Sequence, residues 1–125
     1  MEGWIKLYKK TLKNPVIMKD SDHLTLWCYI LTNAVFTQTD VIFNGKRTTL
    51  SPGQFTTGRK KMAYDCGIHQ SKVERILKTF KIEQQIEQRT DRQCRLITVL
   101  NWSKYQESEQ RIEQRSNNDR TLKKK

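Results

Sequence analysis

Between Thr57 and Phe80 the chain reads TGRKKMAYDCGIHQSKVERILKTF, two helical patterns broken abruptly at Cys66-Gly67-Ile68. In the second pattern Val73, Ile76, Leu77 and Phe80 fall at i, i+3, i+4 and i+7, a narrow apolar stripe on a helix starting near His69 or Gln70. Its opposite face carries Ser71, Arg75, Lys78 and Thr79, with Lys72 on the flank. The first pattern turns Met62 and Ala63 inward behind Arg59, Lys60 and Lys61. It ends at Gly67, which has no side chain to oppose the left-handed turn of a sharp helix exit. Ile68 then closes the corner. Two short helices joined so tightly must share one core, and small Ala63 lets them approach closely. This is a helix-turn-helix pattern.

Such a turn presents its second helix as a ridge about as wide as the major groove of DNA admits. Gln70, Ser71, Lys72, Arg75, Lys78 and Thr79 are then the side chains able to reach base edges or phosphates, while Arg59, Lys60 and Lys61 read as phosphate contacts that fix orientation. Beyond Phe80, Ile82 and Ile86 lead into an alternating run, Leu96, Thr98 and Leu100 against Ile97 and Val99. That spacing predicts a β-hairpin with its tip at Thr90 to Gln93 and its return strand over Arg95 to Leu100. Arg89, Arg92 and Arg95 lie near the tip, so the hairpin supplies a basic wing. Trp102 and Tyr105 are expected to fold back as apolar anchors. Helix, strand, helix-turn-helix and hairpin in that order predict an α+β fold, a winged helix-turn-helix. The same architecture also serves as a protein-interaction module, and the apolar stripe would be core in either case.

Upstream, Trp4, Ile5, Tyr8 and Leu12 fall near one helical face before Asn14-Pro15 stops the pattern, which predicts a short additional helix with an extended start. Asp20-Ser21-Asp22 then offers a helix cap with acidic residues at the positive end of the dipole. Leu24, Leu26, Trp27, Ile30, Leu31 and Ala34 follow, an apolar surface so wide that the helix must be buried on several sides. In VIFNGKRTTL the Asn44-Gly45 dipeptide predicts a tight hairpin turn. Ser51-Pro52-Gly53 makes a further turn, and Gln54 to Thr56 a short extended segment.

The chain of 125 residues carries a net charge of +11, unevenly placed. Residues 41–105 hold thirteen basic and five acidic residues, against five and four in residues 1–40. An excess on the segment that contains the two helices points to a polyanionic partner, nucleic acid first. No run is apolar for the length of a membrane span, and the lysines near the N-terminus interrupt any signal-peptide pattern, so a cytoplasmic protein is expected. Cys28, Cys66 and Cys94 are odd in number and widely spaced, which suits neither a zinc site nor a disulfide framework. In GQFTTGRK the glycines have the spacing of a phosphate-cradling loop, but Arg59 and Lys60 stand where that loop needs Lys and then Ser or Thr. Neither His23 nor His69 lies in a nucleophile or metal arrangement. No enzyme, metal or cofactor is expected. One domain over residues 1–106 and a polar tail over residues 107–125 complete the organisation.

With these residues in view the chain resembles the N-terminal winged-helix domain of DnaD-type primosomal proteins and phage replisome organisers. The likeness rests on GWIKLYKK with NPVI at residues 3–17, HLTLWCYILTNA at 23–34, IFNGK at 42–46, LSPGQFTTGRK at 50–60, CGIHQSKVERIL at 66–77 and ITVLNWSKYQ at 97–106. It implies a role in DNA replication: binding double- or single-stranded DNA, self-association, and help in bringing a helicase loader or other replication protein to the site. Trp4, Ile5 and Tyr8 are the expected contact surface for a homo-oligomer. A second, helical domain of that family has no counterpart in residues 107–125. A transcriptional regulator of the same fold and a protein-interaction module are the alternatives.

Overall fold

In a computed structural model, residues 3–92 and 94–107 are described, Tyr105 and Glu107 by their backbone alone. Gln93 at the expected hairpin tip, the Tyr105 anchor and the tail beyond Glu107 therefore lie outside the described residues. The described chain is an α+β fold of three α-helices and two small antiparallel sheets. No helix among the described residues is long and apolar enough to cross a membrane.

Asp20 caps the first helix, α1 (Ser21–Asn33), its carboxylate accepting the His23 N–H at 2.9 Å. His23, Leu26, Trp27, Ile30 and Leu31 of α1 are all buried, so the helix is covered on several sides as its wide apolar surface requires. Asn44 (φ 50°) and Gly45 (φ 76°) turn the chain between β1 (Thr39–Phe43) and β2 (Lys46–Leu50). Alternation buries Phe43 and Leu50 on one face of this hairpin and leaves Asp40, Ile42, Arg47 and Thr49 exposed on the other.

After β3 (Gln54–Thr57) come α2 (Arg59–Cys66) and α3 (Gln70–Ile82), the two helices that the spacing predicts. Gly67 takes the left-handed conformation at φ 67°, and Ile68 at the corner is buried. Val73, Ile76, Leu77 and Phe80 are at most 1% exposed. At about 1.5–3 kcal/mol for each such side chain removed from water, this stripe is what fastens α3 to the rest. Phe80 meets Trp27 edge to face with ring centroids 5.5 Å apart. The chain then forms β4 (Ile86–Asp91) and β5 (Cys94–Val99), and β5 lies between β3 and β4. The register sets Phe55 opposite Ile97 and Ile86 opposite Val99, so all four point into the core. Gln84 enters this hairpin at φ 58°, a left-handed residue where a glycine would be unstrained. Trp102 is buried, as expected of an anchor.

One expectation is corrected in part. Residues 3–8 have no regular secondary structure and lead into a short 3₁₀ helix, Lys9–Lys13, so the short helix is present but does not carry Trp4, Ile5 and Tyr8 on its face. Lys9, Lys10 and Lys13 repel one another in so short a turn, and Pro15 forbids its extension. Trp4 and Leu12 point to solvent at 75% and 53% exposure, while Ile5 packs against the core.

Candidate nucleic-acid interface

Helix α3 is positioned by its own first turn. The His69 Nδ1 accepts the Ser71 N–H at 3.2 Å and lies 2.9 Å from the Ser71 hydroxyl, so Ser71 belongs to the cap. Opposite the buried stripe, Ser71, Arg75, Lys78 and Ile82 are exposed at helical spacing, with Gln70 and Thr79 half-buried at its margins. The Thr79 hydroxyl donates to the Arg75 carbonyl at 3.0 Å and is thereby committed to the helix. Arg75 and Lys78 make no ion pair among the described residues and stand as the uncommitted cations of this face.

Lys72 is differently placed. Its ammonium lies 2.7 Å from the Asp22 carboxylate and 3.1 Å from that of Asp20, which ties the start of α3 to the cap of α1. Asp22 first and then Asp20 push the Lys72 ammonium above its ordinary pKa. The Asp20 carboxyl is held far below the usual carboxylate range, chiefly by the His23 side chain, then by the His23 N–H and by Lys72. Two carboxylates therefore flank the N-terminal end of α3, where sequence reasoning saw only cations.

The basic residues of α2 and of the β4–β5 hairpin converge more closely. Gly58, Arg59, Lys60 and Lys61 at the start of α2 face Arg92 and Arg95 across an open cleft of about 430 Å³. Lys61 pairs with Asp65 at 3.2 Å, one turn along α2, and that carboxylate also accepts the Tyr29 hydroxyl at 3.2 Å. Arg95 forms an ion pair with Glu74 of α3, a close contact that lacks hydrogen-bond alignment. It fastens the hairpin against α3. Arg59, Lys60 and Arg92 make no ion pair among the described residues.

Arg89 does not join them. The β4–β5 register puts Arg89 on the opposite sheet face from Arg95, and its guanidinium stacks 5.2 Å from the centroid of the Phe43 ring. The three arginines expected near the tip thus divide, two at the cleft and one on the β1–β2 hairpin. Trp4, Ile5 and Tyr8 divide as well. Trp4 is exposed, Ile5 is half-buried on the core, and Tyr8 lines a separate cavity of about 230 Å³ with Lys6, Trp27 and Trp102.

Sequence reasoning missed the partners rather than the cations: Asp20 and Asp22 for Lys72, Glu74 for Arg95, and Phe43 for Arg89. Only Glu74 left a signal, as the acidic residue within an otherwise basic helix. No group of three His, Cys, Asp or Glu that could hold a metal occurs among the described residues. Cys28, Cys66 and Cys94 are half-buried thiols, and burial pushes the first two above their ordinary pKa. Comparison with protein-family models, with curated proteins and with solved structures finds no match to this chain.

Proposed function

We propose that the protein is a non-enzymatic DNA-binding protein of winged-helix type that acts in phage or mobile-element replication. The observation that carries this reading is the division of α3, with a fully buried stripe behind and exposed Arg75 and Lys78 in front, together with a cleft lined by cations from two other elements. The chain order β3, α2, α3, β4, β5 with β5 central in its sheet is the order of a winged helix, which supports the fold part of the proposal. The motif resemblance to primosomal and replisome-organiser proteins supports the replication part. Self-association and contact with a helicase loader or another replication protein belong to the same reading.

The test is binding to labelled double- and single-stranded DNA across a salt series. Log affinity falls with log salt, and every phosphate that a side chain no longer neutralises should make that fall shallower by roughly 0.7–0.9. Arg75→Ala with Lys78→Ala, both exposed and unpaired, is expected to leave the fold intact, weaken binding and flatten the slope by about one to two. Unchanged affinity in this double variant would remove α3 from the interface. Replacing Lys72 is less informative, because it also uncovers Asp20 and Asp22.

A further inference from the structure

We infer that the cleft between the start of α2 and the β4–β5 hairpin binds a terminal phosphate of a nucleic-acid strand, in preference to a phosphodiester within it. This rests on the nucleic-acid reading above and adds the kind of phosphate the site takes.

Cations from two separate elements meet across the cleft. Arg59, Lys60 and Lys61 come from α2, and Arg92 and Arg95 from the hairpin. Among the described residues that line it there is no carboxylate. Lys61 and Arg95 are partly neutralised by Asp65 and Glu74, which leaves Arg59, Lys60 and Arg92 for a ligand. Backbone donors add to these. The first intrahelical bond into Gly58 is the Met62 N–H at 2.9 Å, so the amides of Arg59, Lys60 and Lys61 have no acceptor within α2. Gly58 supplies no capping side chain, and the first turn holds no acidic residue to compete. The sequence GQFTTGRK lacks the residues of a phosphate-cradling loop, yet it still brings a strand, a glycine and a helix start together at this cleft.

The charge on the ligand decides between the two kinds of phosphate. A phosphodiester within a strand has one negative charge and two unesterified oxygens. A terminal phosphate carries about −1.5 to −2 charges near neutral pH and three such oxygens. Three uncommitted cations and unpartnered amides exceed what a diester can use and match a terminal group. The concave shape acts in the same direction, since an end can enter a cleft that a continuous strand must cross.

The experiment compares oligonucleotides of one sequence, labelled internally, with a 5′-phosphate, a 3′-phosphate or hydroxyls at both ends, using the full chain. A phosphate at one end or the other is expected to raise affinity about tenfold, the worth of a charge-assisted hydrogen bond or two. Arg92→Ala and Lys60→Ala should each bring the ratio of phosphorylated to hydroxyl-ended affinity most of the way back to one, whatever they cost in binding common to all three oligonucleotides. Arg75→Ala should weaken all three oligonucleotides alike and keep the gain. Equal affinity for phosphorylated and hydroxyl-ended strands overturns the inference and leaves the DNA-binding reading standing. Competition by a nucleoside monophosphate as effective as by the phosphorylated strand would assign the cleft to free nucleotides and also overturn it. Absence of binding to every oligonucleotide overturns both together.

Discussion

A Cβ built at Gly53 would lie 2.6 Å from the Trp102 Cβ and 2.7 Å from its Cγ, at a backbone φ of +90°. Gly67 has a similar left-handed backbone, φ +67°, but no heavy atom within 4 Å of its Cβ position. Substitution strains the backbone at both, and only Gly53 also has a clash that Trp102 cannot relieve. Trp102 is 3% exposed and its ring meets Phe36 edge to face at 5.0 Å, so it has nowhere to retreat. Gly53→Ala is expected to cost about 3 kcal/mol or more, the sum of strain and overpacking, and Gly67→Ala about 1 kcal/mol. Urea unfolding of the two variants checks this, and comparable destabilisation would refute the role given to Trp102. The pair also marks what sequence can reveal. Gly67 is legible because a helix exit is local. Gly53 reads as an ordinary turn residue, since the indole against it comes from the far end of the fold.

Elements follow the same division between local and distant causes. The stripe of α3 and the turn at Asn44-Gly45 are set by periodicity and turn chemistry within a few residues, and both are visible in the sequence. The contact surfaces between elements are not: the ion pair from Arg95 to Glu74, and Lys72 held by Asp20 and Asp22, depend on register and packing. The N-terminal segment misleads for a related reason, because an apolar spacing suited to a helix is outweighed by crowded lysines and Pro15. The Asp20 junction has a pH signature. Its carboxyl titrates lower in the folded than in the unfolded protein, so its contribution is present above the unfolded carboxyl pKa, near about 4. That contribution is lost as the pH falls from there towards the folded value. Asp20→Asn should thus be less stable than the parent at pH 7, and the difference should shrink as the pH is lowered through about 4 to 3. A difference that stays constant with pH would mean that Asn replaces the cap and that the charge on Asp20 contributes nothing.

For the whole molecule, the two ends of the described chain are joined. The Lys6 N–H donates to the Gln106 Oε1 at 2.9 Å, the Gln106 Nε2 donates to the Lys6 carbonyl at 3.0 Å, and the Lys6 ammonium reaches the Gln106 carbonyl at 3.0 Å. Gln106 is 3% exposed, so these bonds are protected from water and fix the N-terminal segment on the core. Trp4 and Leu7 are consequently held outward, at 75% and 46% exposure, on a surface that does not depend on how α3 is used. Self-association through Trp4 must work against a net charge of +11 on each copy. Added salt screens that repulsion, so the mass by light scattering should rise with salt while DNA affinity falls. Mutation should separate the two proposed properties as well. Trp4→Ala should weaken association about tenfold or more, given the apolar area at stake, and leave the far-UV spectrum unchanged. Ile5→Ala should instead lower thermal stability, because Ile5 packs on the core. A monomeric mass at every salt concentration would remove self-association from the proposed function. An assembly that Trp4→Ala leaves intact would move the contact elsewhere, with exposed Ile42 and Tyr64 the next surfaces to vary.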